Sequence, residues 1–281
     1  MHHIKLLLFI AVTSALMAGC TDDSSTSPGD SNDTAKGTLK VLLTDSPGEY
    51  DEVNITFSEV SVHYSGESAE DEEIQDESEE NSTTQKIAGE WIIVTDETQT
   101  FDLLTLSNGV TALLGEQEMD EGHYTQIRLA ITEAEVVVDT VSYSLSIPSE
   151  TLKFVSGFDI IPGIETELIV DFDAARSIHT TGKKADYKMK PTIRIINKAQ
   201  CGSIAGTVIN YENLPIAYAI AGDDTLTSSY VNENNGKFPL SFLPEGSYPV
   251  SAADTLKQSY SIEGVAVTLA TKTDIGDITL E

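Results

Sequence analysis

Four carboxylates crowd one short stretch of this chain: Asp45, Glu49, Asp51 and Glu52 flank Ser46-Pro47-Gly48. Oxygen ligands gathered by a turn are what Ca2+ takes up, and Asp45, Glu49 and Asp51 would supply them. The same residues fit a plainer role, because an Asp ahead of a Pro-Gly turn accepts hydrogen bonds from the backbone that follows it. The turn role is favoured, so no cofactor is assigned and Ca2+ is the one ion the pattern would suit. A second acidic pair, Asp171 and Asp173, is spaced two apart in "DFD". On a strand that spacing puts both on one face. A glycosidase needs such a pair in a cleft, whereas a wet strand face carries one without consequence. His63, His123 and His179 fall in no metal-ligand spacing and read as edge or turn residues. The chain has no H-E-x-x-H, Cys-x-x-Cys, G-x-S-x-G or Walker loop. The acid at Glu233 is out of register for an EF-hand loop, and "GDS" at 29–31 sits where nothing positions a nucleophile. No catalytic residue is assigned, and the chain reads as a non-enzyme.

Charge narrows the partners. The 281 residues carry 46 Asp and Glu against 16 Lys and Arg, a formal net charge of -30. Nucleic acid is excluded as a partner by that balance. It suits solubility in a salty medium, where screening tolerates the self-repulsion.

The two cysteines differ in setting. Cys201 opens an apolar strand beside Gly202 and is expected buried rather than paired between chains, with nothing nearby to make it a nucleophile. Cys20 ends a leader. Lys5 precedes an apolar run, Leu6 to Met17, that has signal-peptide length and is too short to cross a bilayer as a helix. Leu16-Met17-Ala18-Gly19-Cys20 then resembles the bacterial lipobox. The resemblance implies that residues 1–19 are a signal peptide cleaved before Cys20. It also implies that the Cys20 thiol and the new amine carry palmitate-type chains. Two or three chains anchor a protein stably where one does not. The implied location is the bacterial cell envelope, at the outer membrane or cell surface more readily than the inner membrane, with Cys20 as the membrane contact.

The elements behind these residues are strands. Residues 20–36 are mostly Ser, Thr, Asp, Gly, Asn and Pro with nothing to bury, and read as a flexible tether. From Gly37 the texture turns β-rich. Val53, Ile55 and Phe57, then Val60, Val62 and Tyr64, alternate with polar residues, and the phase slips at Ser58-Glu59, which predicts a bulge. Residues 66–85 carry nine acids between Glu67 and Glu80 and read as a disordered loop. Trp91, the only tryptophan, is expected in the core. Tyr124, Ile127, Leu129 and Ile131 are the inward candidates of "GHYTQIRLAI". "FDAARSIH" has room for one helical turn, and "NNG" at 234–236 predicts a hairpin. Strand-length runs recur with turn signals between them and without a long helical period, the mark of a β-sandwich or barrel. The pattern restarts near residue 200.

Two further resemblances follow from these runs. Residues 37–198, through "GTLKVLLTDSPGEYDEVNITFSEVSVH", "FDLLTL", "EGHYTQIRLAI" and "KPTIRIIN", resemble the bacterial lipoprotein module called domain of unknown function 4382, which implies a β-rich exported lipoprotein and carries no activity. Gly206-Thr207-Val208, Gly236-Lys237-Phe238, Leu243 to Val250 and Asp277 to Leu280 resemble the carboxypeptidase regulatory-like domain, a transthyretin-like sandwich that is non-catalytic in its family. The resulting expectation is an all-β chain: two β-sandwich domains, 37–199 and 200–281, after a disordered lipoprotein tether. Its role is binding or scaffolding of a protein or glycan. The alternative is a calcium-dependent adhesion or glycan-binding protein.

Overall fold

The computed structural model describes residues 35–66, 89–147, 149–180 and 187–281. The expected signal peptide 1–19, Cys20, nearly all of the expected tether 20–36 and the expected acidic loop beyond Gly66 lie outside the described residues. Residues 34–281 form one compact unit.

The strands run in chain order as β1 (Lys36–Asp45), β2 (Glu52–Gly66), β3 (Trp91–Thr95), β4 (Gln99–Asp102), β5 (Ala112–Asp120), β6 (Gly122–Val138), β7 (Val141–Ser144), β8 (Thr151–Ile160) and β9 (Glu165–Phe172). A four-residue helix α1 (Ala174–Ser177) follows, then β10 (Ile178–Thr180), β11 (Tyr187–Met189) and β12 (Ile193–Asn197). The remainder is β13 (Cys201–Val208), β14 (Ile216–Ala221), β15 (Asp224–Tyr230), β16 (Lys237–Pro244), β17 (Gly246–Ala253), β18 (Ser259–Val267) and β19 (Lys272–Ile278). The protein is all-β, with sandwich-like domains, and α1 occupies the place where one helical turn was expected.

The first sandwich faces a four-stranded sheet, ordered β12-β9-β1-β5, with a six-stranded sheet built on β2 and β6. β1 and β9 pair in parallel and their other neighbours are antiparallel. One core joins the inward rows of both sheets, including Leu39, Val41 and Leu43 of β1, Leu168 and Val170 of β9, and Val53, Ile55 and Phe57 of β2. Tyr124, Ile127, Leu129 and Ile131 are all buried in it, as the alternation of β6 requires. The predicted phase slip is real. Phe57 pairs with Ile131 and Glu59 with Ala130, which leaves Ser58 as the extra residue of a bulge and keeps both halves of β2 facing the core.

The second sandwich packs the three-stranded sheet β16-β13-β19 against the four-stranded sheet β15-β14-β17-β18. Its core includes Ile204, Val208, Phe238, Leu240, Val250 and Val267. A third, smaller cluster joins the two halves: Ile169, Ile196 and Cys201 are buried together, with Leu42 and Phe242 packed on them. β9 is therefore covered on both faces. That explains why "LIVDF" is a continuous run rather than an alternating one.

Two expectations are corrected. The turn at Asn234-Asn235-Gly236 is tight, with the Gly236 N–H donating to the Asn232 carbonyl at 2.8 Å. The strands it joins, β15 and β16, lie in different sheets, so it is an arch and makes no hairpin. Trp91 is half-buried on the outer face of its sheet, because its neighbours Ile92 and Val94 take the inward positions of β3.

Candidate functional site

The polar groups singled out in the sequence converge at one end of β1 and β9. Parallel pairing sets Thr44 beside Asp171 and Asp45 beside Phe172, and α1 begins directly after. Asp45 is 4% exposed. Its Oδ1 accepts from the Ala174 N–H at 2.9 Å, tying the start of α1 to the end of β1. Its Oδ2 is buried and has no hydrogen-bond partner among the described residues. Burial pushes the Asp45 carboxyl well above the usual carboxylate range, against the pull of the Ala174 and Ser46 backbone donors, and the charges of Asp171 and Asp173 push the same way.

"DFD" is not a wet strand face. Asp171 is buried and stands opposite Arg194 of β12, whose Nε donates to Asp171 Oδ2 at 3.0 Å; the Arg194 terminal nitrogen reaches the same oxygen. Burial pushes the Asp171 carboxyl up and Arg194 pulls against it. Asp173 lies beyond the strand and caps α1, its Oδ1 accepting from the Arg176 N–H at 2.8 Å. The two acids thus do separate jobs. Their spacing is that of a strand end running into a cap, which two-residue periodicity does not anticipate.

Arg176 leaves α1 toward the second sandwich, donating to the Thr225 carbonyl at 3.4 Å and lying 3.5 Å from Asp224. A cavity of about 30 Å3 lies between Ser46, Asp173, Arg176 and Arg194 on one side and Thr225 and Leu226 on the other. That is room for a water and too small for an organic substrate. Nearby, Asn108 holds a left-handed φ of 61° and its Oδ1 accepts from the Tyr230 N–H at 2.8 Å and from Ser229 Oγ at 2.9 Å. Tyr230 Oη in turn donates to the Gly48 carbonyl at 2.7 Å. Asn108→Ala removes one acceptor from two partners and a residue suited to that φ. It is expected to lower stability by about 1–3 kcal/mol, read by urea denaturation.

The three candidate calcium ligands do not converge. Asp45 is buried and spent on α1, whereas Glu49 and Asp51 are exposed. Asp51 Oδ2 accepts from the Thr140 N–H at 2.9 Å. It thereby supports the β6–β7 hairpin, where Asp139 and Thr140 both hold positive φ. Among the described residues no group of three His, Cys, Asp or Glu is placed to hold a metal ion. His63 bonds Thr125 and packs edge-on to Trp91, His123 pairs with Asp159 at 2.8 Å, and His179 is exposed on β10. Cys201 is a free, buried thiol, which donates to the Asn197 carbonyl at 3.5 Å. Burial raises its pKa, the opposite of an activated nucleophile.

Sequence reading missed Arg194, Arg176 and Asn108. One of them had a signal. Arg194 inside "TIRIIN" and Asp171 inside "LIVDF" are single charges of opposite sign in largely apolar runs, and a buried charge demands a partner.

A sequence model described as "Domain of unknown function (DUF4382)" matches residues 36–191. The chain belongs to this family. The DUF4382 match covers the first sandwich through β11 and takes in Asp45, Asp171, Asp173 and Arg176. Comparison with the curated proteins gives no match. Among solved structures, the Bacillus anthracis TIE protein aligns at 12% identity with a TM-score of 0.20, over 88% of this chain and 34% of that one. The chain thus spans about a third of that protein's length. GBS52, the minor pilin of Streptococcus agalactiae, aligns at 8% identity and TM-score 0.19, over 86% of this chain and 95% of that one. The fimbrial anchor protein Mfa2 of Porphyromonas gingivalis aligns at 9% identity and TM-score 0.19, over 83% and 82%. Among the described residues no helix is long and apolar enough to cross a membrane.

Proposed function

We propose that this is a lipid-anchored protein of the bacterial envelope whose role is to bind or scaffold, without catalysis of its own. The observation that carries the reading is Leu16-Met17-Ala18-Gly19-Cys20 at the end of an apolar leader, followed at once by a polar segment. In this reading Cys20 bears the lipid, residues 20–36 act as the tether, and 37–199 and 200–281 are the two domains. The second domain serves as a carboxypeptidase regulatory-like appendage. The buried polar groups support a structural role, since Asp45 and Asp173 cap α1, Asp171 is paired with Arg194, and Arg176 and Asn108 bind the second sandwich to the first.

The test is mass spectrometry of the N-terminal peptide from protein isolated from a bacterial envelope. A lipid-modified Cys20 is expected, and Cys20→Ser is expected to move the protein from the membrane fraction to the soluble one. An unmodified Cys20 in protein that still sediments with membranes would sink the proposal.

A further inference from the structure

The turn between β8 and β9 leaves apolar side chains in solvent. It reads Ile161-Pro162-Gly163-Ile164. The Ile164 N–H donates to the Ile161 carbonyl at 3.1 Å and Gly163 holds a φ of 70°, so proline and glycine take the two corners of a tight, stiff turn. Ile161 is 51% exposed and Ile164 52%, and Pro162 between them is exposed too. The chain enters the fold against this turn. The Gly163 N–H donates to the Lys36 carbonyl at 2.9 Å, and the Thr38 N–H to the Ile164 carbonyl at 3.0 Å. Gly37 is buried there, and a side chain on it would meet the Ile161 carbonyl oxygen at 2.4 Å. From this point β1 runs ten residues, about 30 Å, to Asp45. The hydrogen bonds that join Gly48, Asn108 and Arg176 to the second sandwich lie at that far end.

Fifteen residues of chain separate Cys20 from Ala35, so a lipid on Cys20 holds Ala35 within roughly 50 Å of the bilayer. The turn that Lys36 is bonded to comes with it. A stable protein interface takes about 20–30 residues a side. Four turn residues cannot supply that, whereas a lipid surface already held at short range needs only a weak apolar contact. The rest of this end is acidic. Asp120 and Glu121 lie in the neighbouring β5–β6 connection, and Asp159 and Glu165 flank the isoleucines. Gly66, from which the acidic sequence 67–80 continues, pairs with His123 beside them. The nearby cations are engaged, Lys36 with Asp120 and Lys40 with Glu116 and Glu165. Such a rim repels anionic head groups and leaves zwitterionic ones. We propose that the Ile161–Ile164 turn dips into the interface of a zwitterionic lipid leaflet, so that the first sandwich stands on the membrane by this end and holds the second sandwich away from it. Lipid anchoring at Cys20, as proposed above, is what keeps the bilayer in reach, and the contact rests on it.

The experiment uses the mature chain, residues 20–281, with Cys20→Ser and a hexahistidine in place of the lipid. The probe is phosphatidylcholine vesicles carrying a little nickel-chelating lipid. Lipids brominated on their acyl chains quench a tryptophan that reaches them. Above the background of Trp91, the emission of Ile161→Trp is expected to be quenched on tethering. Leu256 is the matched control. It is 66% exposed in the β17–β18 turn, where the Thr255 N–H donates to the Asn213 carbonyl, and Leu214 next along lines a cavity with Asn108 of the far end. Leu256→Trp is expected to stay unquenched. The double variant Ile161→Ser with Ile164→Ser is expected to raise the lipid concentration that retains half the protein by about tenfold or more, and Leu256→Ser to leave it unchanged. Replacing part of the phosphatidylcholine by phosphatidylglycerol should raise it as well. Circular dichroism checks that each variant is folded, and the tryptophan variants decide the matter where the serine variant is not. No quenching of Ile161→Trp, equal quenching of Leu256→Trp, unaltered retention of the folded serine variant, or tighter retention by phosphatidylglycerol each overturns the proposal. So does a dimer of the native chain in solution that the serine variant abolishes. Because the tag stands in for the lipid, failure here is separate from failure of the lipid anchor.

Discussion

Arg194→Met destabilises the fold by about 3–5 kcal/mol, the expected consequence of leaving a buried carboxylate without its partner. Asp171 is 6% exposed, and Arg194 is its only cation within ion-pairing distance among the described residues. β9 is covered on both faces, so the Asp171 carboxylate stays largely out of water once the guanidinium is gone. The double variant Asp171→Asn with Arg194→Met removes both charges and is expected to recover most of the loss, because the penalty belongs to the orphaned charge rather than to the pair. Lys198→Met is the comparison. Its ion pair with Glu167, at 2.8 Å, is partly solvated and should contribute about 0–1 kcal/mol. Chemical denaturation measures all three. The assignment fails if Arg194→Met costs no more than Lys198→Met.

Asp45 makes stability depend on pH in the direction opposite to that of a salt-bridged acid. Its folded-state pKa is raised, so the folded protein keeps a proton that the unfolded chain releases. The contribution is fully present below the ordinary aspartate value and is lost as pH rises through the raised folded value. Within that window the slope is up to about 1.4 kcal/mol per pH unit. The groups facing Asp45 agree with the sign: Asp171 and Asp173 are acids, and the Ala174 and Ser46 N–H groups only partly offset burial. Asp45→Asn keeps an oxygen for the Ala174 N–H and cannot titrate. Its stability relative to the native chain is therefore expected to improve steadily with pH across that window. A difference between the two proteins that does not change with pH would show that Asp45 is ionised throughout.

The strands were legible because their causes are local. Alternation in β2 and β6 follows from one face being buried, and the slip at Ser58-Glu59 follows from the need to keep Phe57 and Val60 facing the same core. The site was less legible. Asp45, Glu49 and Asp51 are neighbours in the chain, yet the fold sends Asp45 inward to α1 and Asp51 outward to the β6–β7 turn. Asp171 and Asp173 looked equivalent until the strand ended between them.

By itself the sequence determined the all-strand character, the bulge, the burial of Cys201 and the motif at Cys20, since each depends on residues close together in the chain. Only the tertiary structure decided that β1 and β9 run in parallel, that Arg194 answers Asp171, and that Trp91 lies outward under Arg128. These pairings join residues far apart in sequence, and what selects them is the cost of burying a charge or an apolar surface without its complement, which exists only once the sheets have packed.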